Sequence, residues 1–269
     1  MILRSDPLQV FRSSITPVGL YARKNWLGES QTIQWRHDFN HTVESIYESQ
    51  SNNGSWNNSL IDTIRHIFYL HLTIRENTAA VNTALDWLLN QTLESTNRVK
   101  GHDQEKYKIS ELHGLPFIQS PFDVFLRTAS IFLATVFGMD NDKRILAACD
   151  VLEREGINTE GRWSGWASLT NALRAFAVHP KYARSGSVVL AVNNLANAQT
   201  CEGNWISTVP FYKTINTLAH LNIPQADRQF ERALARLPKR QTHDGSWGRV
   251  EREWSTFLVV HALKRKGIL

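Results

Sequence analysis

The sequence has few cysteines, no long apolar run and no recognisable leader. Cys149 and Cys201 are its only cysteines, which excludes a disulfide framework and is typical of a reducing compartment. The longest apolar stretches, such as residues 129–138, are about half of the ~20 residues that a membrane-spanning helix needs. The N-terminus MILRSDPLQV lacks the apolar core and cleavage site of a signal peptide. These absences predict a cytoplasmic protein without a transmembrane segment.

Neither sign of charge dominates the sequence. It has 30 Lys and Arg against 25 Asp and Glu, and a formal net charge of +5. The basic residues are dispersed, and the densest groups, 239–240 and 264–266, fall at predicted helix ends, where cations interact favourably with the helix dipole. This pattern argues against a nucleic-acid partner. An anionic ligand, such as one that bears a diphosphate, is the alternative explanation of these groups.

An internal repeat is the strongest signal that the sequence contains. Its common form is Gln, three residues, Gly, one residue and Trp, and the four copies are Gln50–Trp56, Ile157–Trp163, Gln199–Trp205 and Gln241–Trp247. The last three tryptophans stand at 163, 205 and 247, so successive copies are 42 residues apart. Glycine permits a turn that other residues resist, and tryptophan offers a large flat surface and one N–H donor.

Apolar residues at helical spacing flank each turn. Val188, Val192 and Leu195 precede the third turn, and Phe211 and Ile215 follow it. Steps of three and four residues place such side chains on one helix face. The repeating unit is therefore predicted to be a helix, a glycine-containing turn and a second helix.

These turns resemble the QW motif of squalene–hopene cyclases and other class II terpene cyclases, and Gln241–Trp247 is the most similar copy. The resemblance extends from about residue 36 to 266, and it implies one all-α domain over residues 1–269. The implied fold is an α/α toroid of about five helical hairpins, with an N-terminal helix near 15–27 that either completes the ring or packs on its edge. The implied inner helices are near 58–72, 121–137, 164–178, 207–222 and 252–265. The implied outer helices are near 36–50, 78–91, 143–155, 183–199 and 225–241.

The acidic motifs of this family have no counterpart in the chain. Class II terpene cyclases protonate their substrate with an Asp-x-Asp-Asp cluster, and this sequence has no two adjacent aspartates. The paired acidic motifs that hold magnesium in class I terpene chemistry are also absent. The zinc site of protein prenyltransferases needs Asp and Cys two residues apart, whereas Cys149 directly precedes Asp150 and Cys201 has no such Asp. No metal and no cofactor is therefore expected.

The second unit departs from the repeat, because no Gly-x-Trp turn follows its outer helix. Residues 92–120 form a long connection instead, which is either a tolerated surface insertion or a lid over one mouth of the cavity. His113 and Asp123 are the candidate catalytic acids, and Arg127 is the candidate that holds an anionic group or tunes Asp123. The alternative is structural, since Asp123 and Arg127 have the spacing of a salt bridge on one helix face.

Histidines and aromatic residues on the predicted inner helices allow two interpretations. His71, His179, His220 and His261 recur in register near the inner-helix ends, where they serve the architecture or converge on one rim of the toroid. The aromatic residues either bind substrate by lining the cavity or fill the core. The candidates for substrate binding are Trp166, Tyr212, Phe68 and Phe125.

The resemblance implies a terpene cyclase-like protein that binds a hydrophobic, isoprenoid ligand in a central cavity. As an enzyme it would be a cyclase or isomerase that uses a non-standard acid. The alternative is a non-catalytic binding or protein-interaction scaffold with the same fold and a protein partner. A third alternative, an (α/α)-barrel carbohydrate enzyme, ranks last because turn register already explains the tryptophans. A closed aromatic cavity favours ligand binding, whereas a filled centre beside an apolar patch favours a scaffold.

Overall fold

The computed structural model of the chain describes residues 3–94 and 107–269, and all regular elements within these residues are helices. No helix in these two ranges combines the length and the apolarity that crossing a membrane requires. The α-helices are α1 Pro17–Asn25, α2 Ile33–Glu48, α3 Leu60–Thr73, α4 Ala79–Thr92, α5 Phe122–Val136, α6 Lys143–Asn158, α7 Trp166–Val178, α8 Gly186–Asn197, α9 Phe211–His220, α10 Pro224–Leu234, α11 Leu237–Arg240 and α12 Arg252–Arg265.

Six helices form a closed inner ring. The predicted inner helices α3, α5, α7, α9 and α12 pack in that order, and α1 contacts both α3 and α12. The predicted outer helices α2, α4, α6, α8 and α10 pack outside them. The all-α toroid is therefore confirmed, and the N-terminal helix completes its ring.

The inner and outer helices differ in how many of their faces are apolar. In the inner helix α5 nearly every residue from Val124 to Thr135 is buried, because other helices surround it. In the outer helix α10 only Ala226, Gln229, Phe230 and Ala233 are buried, which is a single stripe at steps of three and four. The sequence pattern of each helix thus matches its layer.

Each Gly-x-Trp turn ties an outer helix to the next inner helix through the tryptophan N–H. Trp205 Nε1 donates to the Leu195 carbonyl at 3.0 Å, and Trp247 Nε1 donates to the Leu237 carbonyl at 2.9 Å. The turn at Trp56 makes the same bond to the Ile46 carbonyl. A buried tryptophan therefore adds a hydrogen bond at a carbonyl near the end of the preceding helix.

The turn glutamines join neighbouring units. Gln199 Nε2 donates both to Gly203 within its own turn and to the Gln229 carbonyl of the next outer helix. Gly203, at φ +86°, allows this approach, because a Cβ there would lie 2.2 Å from the Arg232 carbonyl oxygen. The turn thus packs directly on the backbone of the following unit.

Within the described residues the N-terminal segment packs on the last turn, at the position that the next unit occupies at the other turns. Gln241 accepts from the Arg4 N–H at 2.7 Å and donates to the Ser5 carbonyl at 2.9 Å. A Cβ on Gly245 would lie 2.5 Å from the Asp6 carbonyl oxygen. The N-terminal segment and the last turn therefore close the outer layer with the same glutamine and glycine contacts that join the other units.

Two local differences from the sequence prediction have physical causes. Ile157 is exposed and still helical, and Trp163 reaches the carbonyl of Leu152, eleven residues back instead of ten. Without the glutamine, α6 continues further before the turn. The predicted outer helix 225–241 is divided after Leu234, because Pro238 lacks the N–H that would bond to the Leu234 carbonyl.

The described part of the long connection, residues 107–121, closes the end of the ring at which the inner helices begin. The Gly114 N–H donates to Glu251 at the start of α12, and Lys213 of α9 donates to the Phe117 carbonyl. Asn171 of α7 bonds both the N–H and the carbonyl of Ile118. Residues 95–106, the earlier part of this connection, lie outside the described residues.

Candidate functional site

A cavity of about 690 Å³ lies inside the ring. Its walls come mostly from the C-terminal halves of the inner helices, and Pro116 of the closing segment lies at its inner end. Along α12 it extends from Trp254 to Arg265, which is about 16 Å at 1.5 Å per residue. The exposed side chains of Arg75 and Lys264 line its outer end. The centre of the toroid is therefore open and within the size range of ligand pockets.

One side of the cavity is aromatic. Trp254 stacks on Phe257 with ring centroids 5.4 Å apart, and Phe68 meets Trp254 edge-on at 5.8 Å. The aromatic residues that line the cavity are Tyr21, Trp26, Phe68, Phe132, Trp254 and Phe257. Such a wall suits an apolar chain and offers π faces to a cationic centre.

The other side of the cavity contains a buried arginine, and no residue that the structure describes gives it an acidic partner. Arg174 is 5% exposed, and it donates at 3.0 Å to Asn216 Oδ1 and at 3.0 Å to the Lys213 carbonyl. Its Nε has no hydrogen-bond partner among the described residues. Burial lowers the pKa of Arg174 to about 9. Asn216 also donates to the Leu258 carbonyl at 3.0 Å, so the guanidinium is held at one level of the ring.

No Asp or Glu is among the described residues that line the cavity. The cationic side chains in the lining are Arg75, Arg174, Lys264 and Arg265. In low dielectric an unpaired charge is costly, and an opposite charge in the cavity would offset that cost. The lining is therefore suited to an anion.

Three of the four histidines in register converge in this cavity. His220 Nε2 and His261 Nδ1 are 3.3 Å apart, and His71 Nδ1 has no partner among the described residues. Burial, and then nearby cationic groups and histidines, lower the pKa of His71 to about 3 and that of His261 to about 4. Burial also lowers the pKa of His220 well below its usual value. The fourth, His179, packs against Tyr182 instead.

The residues predicted as catalytic lie elsewhere. His113 and Asp123 are exposed, and neither is among the residues that line the cavity. Arg127 donates to Glu155 at 2.7 Å on the outer side of α5 and does not contact Asp123 through a salt bridge. The structure thus does not bring these three side chains together.

Among the predicted substrate-binding residues, Phe68 alone lines the cavity. Phe125 is buried in the core, where it stacks on Tyr107 of the closing segment. Trp166 and Tyr212 are partly buried and contact the core from outside the cavity lining. Whether each of these side chains reaches the cavity depends on which face of its helix points inward. Residue type alone does not determine that face.

The sequence contains a signal for Arg174 and Asn216 that pattern reading missed. Arg174, Asn216 and Leu258 each stand eleven residues after a turn tryptophan, at 163, 205 and 247. They are therefore equivalent positions of three successive repeats, and in the structure they are joined by hydrogen bonds. Arg174 and Asn216 are polar at a repeat position that holds leucine in the last copy, and this difference indicates that they line the cavity.

No family model matches the sequence, and no curated protein matches it. Solved structures do match it. A protein from Actinoplanes has a TM-score of 0.58 and 16% identity over 94% of this chain and 89% of that one.

The type II terpene cyclase MstE from Scytonema has a TM-score of 0.59 and 13% identity over 97% of this chain and 88% of that one. A variant of MstE in complex with its substrate, geranylgeranyl dihydroxybenzoate, has a TM-score of 0.59 and 11% identity over 97% and 88% of the two chains. At these identities the likeness concerns the fold. The chain therefore has a terpene cyclase-like α/α-toroid fold.

Proposed function

We propose that this protein binds an amphiphilic ligand, with an isoprenoid chain against the aromatic wall and an anionic head at Arg174. The observation that carries the proposal is the buried guanidinium of Arg174, which faces a cavity whose described lining has no carboxylate. A buried, unpaired charge costs several kcal/mol, about what an anion at this position would offset.

The two walls of the cavity support opposite ends of one ligand. Each Å² of apolar surface removed from water contributes about 25 cal/mol, so a branched hydrocarbon chain gains most on the aromatic side. The MstE variant that shares this fold was solved with a geranylgeranyl chain joined to a benzoate, which has the same division into apolar chain and acidic head.

The second part of the proposal is catalysis, namely a cyclisation or isomerisation of the chain that a non-standard acid begins. His71, His220 and His261 are the candidates for this acid among the described lining residues. A buried imidazolium is a stronger acid than a free one, but little of it exists at pH 7. The sequence-predicted acids His113 and Asp123 stay a prediction, and their exposed positions give it no support.

The sharpest test replaces Arg174. Arg174→Met should weaken binding of farnesyl diphosphate about 100-fold, because a bound anion loses its buried, hydrogen-bonded partner. The free energy of unfolding should change by no more than about 1 kcal/mol, since the variant also removes an uncompensated buried charge. Calorimetric titration and urea unfolding measure the two quantities. Farnesol, which has the same chain and a neutral head, should bind both proteins equally.

Arg127→Met is the matched control. Arg127 is also largely buried on a neighbouring inner helix, but it pairs with Glu155 and lies outside the cavity lining, so binding should not change. Equal affinity of Arg174→Met and the parent protein for farnesyl diphosphate would contradict the proposed head-group site. Mass spectrometry of the same incubations at pH 5 and 7, and with geranylgeranyl diphosphate, tests turnover, which should be faster at pH 5.

A further inference from the structure

The paired imidazoles of His220 and His261 line the same cavity as Arg174. We propose that this pair takes up one proton when the anionic head binds, and that the protonated pair donates to the head from both of its outer nitrogens. The inference rests on the proposed function, because it assigns the proton chemistry of the same anion site.

The pair changes its hydrogen-bonding character on protonation. His220 Nε2 and His261 Nδ1 are 3.3 Å apart, so in the neutral pair one ring donates and the other accepts. The two nitrogens outside that bond are His220 Nδ1 and His261 Nε2. In the neutral pair one of these outer nitrogens carries a proton and the other does not. A single added proton converts the second outer nitrogen to a donor as well, and the inner bond stays in place. The cationic pair then presents His220 Nδ1–H and His261 Nε2–H to an acceptor.

The position of the pair follows from the helix register. Asn216 links Arg174 to the Leu258 carbonyl and so marks one level of the ring. His220 follows Asn216 by four residues, which places it about 6 Å nearer the open end of the cavity. A head group between these two levels meets the guanidinium on one side and the imidazoles on the other.

Burial keeps the pair neutral in the free protein, and cations that face it from several helices add to this effect. The positive groups are Arg174 of α7, Arg75 after α3, and Lys264, Arg265 and Lys266 at the end of α12. Lys266 is itself paired with Asp227 of α10. The other titratable groups nearby are Tyr21 of α1 and His71 of α3.

Burial and these charges both disfavour an imidazolium in the free protein, which is why the pKa of each ring is lowered. A bound anion opposes the effect of the nearby positive charges, because its negative charge offsets the field of the arginines. The proton affinity of the pair therefore rises in the complex. By reciprocity, affinity for the anion must rise as pH falls.

The test uses farnesylsulfonate, whose head keeps a single negative charge across the working pH range. Calorimetric titration at pH 6 in buffers of different ionisation enthalpy should give an uptake of close to one proton per ligand. Between pH 7 and 6 the dissociation constant should fall up to tenfold, the slope for one linked proton. Histidine ring ¹⁵N shifts of the parent protein should show one ring of the His220–His261 pair becoming an imidazolium on binding.

The double substitution His220→Asn and His261→Asn should lower the proton uptake at pH 6 to near zero. The matched control is His179→Asn, because His179 has the same repeat register and is buried outside the cavity lining, so uptake should stay near one. Binding without proton uptake, or unchanged ring shifts, would overturn the inference and leave the proposed function standing. Absence of binding by both farnesylsulfonate and farnesyl diphosphate would overturn both. The ring shifts require no variant, so the test survives if an asparagine variant fails to fold.

Discussion

Acidification from pH 7.5 to 5 should lower the free energy of unfolding by about 4 kcal/mol through His71 and His261 alone. The pKa of these side chains lies near 3 and near 4 in the folded protein, against about 6.5 in an unfolded chain. Between those pKa values the unfolded state binds protons that the folded state does not bind, so the free energy of unfolding falls as pH falls. His220 acts in the same direction.

The pH range separates this effect from ordinary acid unfolding. The pKa values of Asp38 and Asp142 are lowered by hydrogen bonds to arginines, so these carboxylates lose their contribution only below about pH 4. Urea unfolding at half-unit steps from pH 7.5 to 5 measures the slope. The double substitution His71→Phe and His261→Phe should flatten the slope, because phenylalanine fits the surrounding aromatic cluster and does not titrate.

His113→Asn is the control for the acid experiment, since His113 is exposed and outside the cavity. Its slope should match that of the parent protein. A parent slope that stays flat down to pH 5 would show that the cavity histidines are solvated and ordinary, which would also remove the basis of proton-coupled binding. Farnesylsulfonate at saturating concentration should offset part of the acid loss, because the bound state accepts a proton.

Trp247→Ala should cost about 5 kcal/mol of stability, which is enough to unfold a marginal protein. Trp247 is 0% exposed, and its Nε1 donates to the last-turn carbonyl of Leu237. Its removal leaves a large cavity and loses this hydrogen bond, although the Leu237 carbonyl keeps the Gln241 N–H as a donor. This turn also receives the N-terminal segment through Gln241, so its loss opens the outer layer where the chain ends meet.

Trp163→Ala gives the comparison for this substitution. Trp163 makes the corresponding bond to Leu152 but is only partly buried, so it should cost clearly less than Trp247→Ala. Thermal and urea unfolding of the two variants measure the difference. Equal losses would indicate that the hydrogen bond dominates over burial, contrary to the expectation from buried volume.

Much of the fold was predictable because the repeat carries its own local physics. Short-range geometry determines each turn: the glycine has a positive φ, the tryptophan reaches the preceding helix, and the glutamine bonds within its own turn. These residues recur in the sequence. The resemblance to the cyclases then placed the inner and outer helices, with errors near Pro238 and Ile157, where a single residue changes where a helix ends.

The candidate site was predicted less well. Asp123 and Arg127 were predicted as site residues because they follow the irregular connection. In the structure Arg127 pairs with Glu155 and Asp123 is exposed to solvent. Phe68 was predicted because it is aromatic and on an inner helix, but Phe125 met the same criteria and lies in the core. Residue type and helix assignment do not determine the rotation of a helix that is apolar on nearly every side.

The sequence alone determined the repeat, the helix order and the absence of the family's acidic motifs, because each depends on residues close together in the chain. Tertiary structure alone decided which side chains share the central cavity. Arg174, His220 and His261 come from three helices, and the packing of α7 on α9 and of α9 on α12 brings these side chains around one space. The charge of that space, cationic and without a carboxylate among its described lining residues, belongs to the assembled ring and to no segment of the sequence.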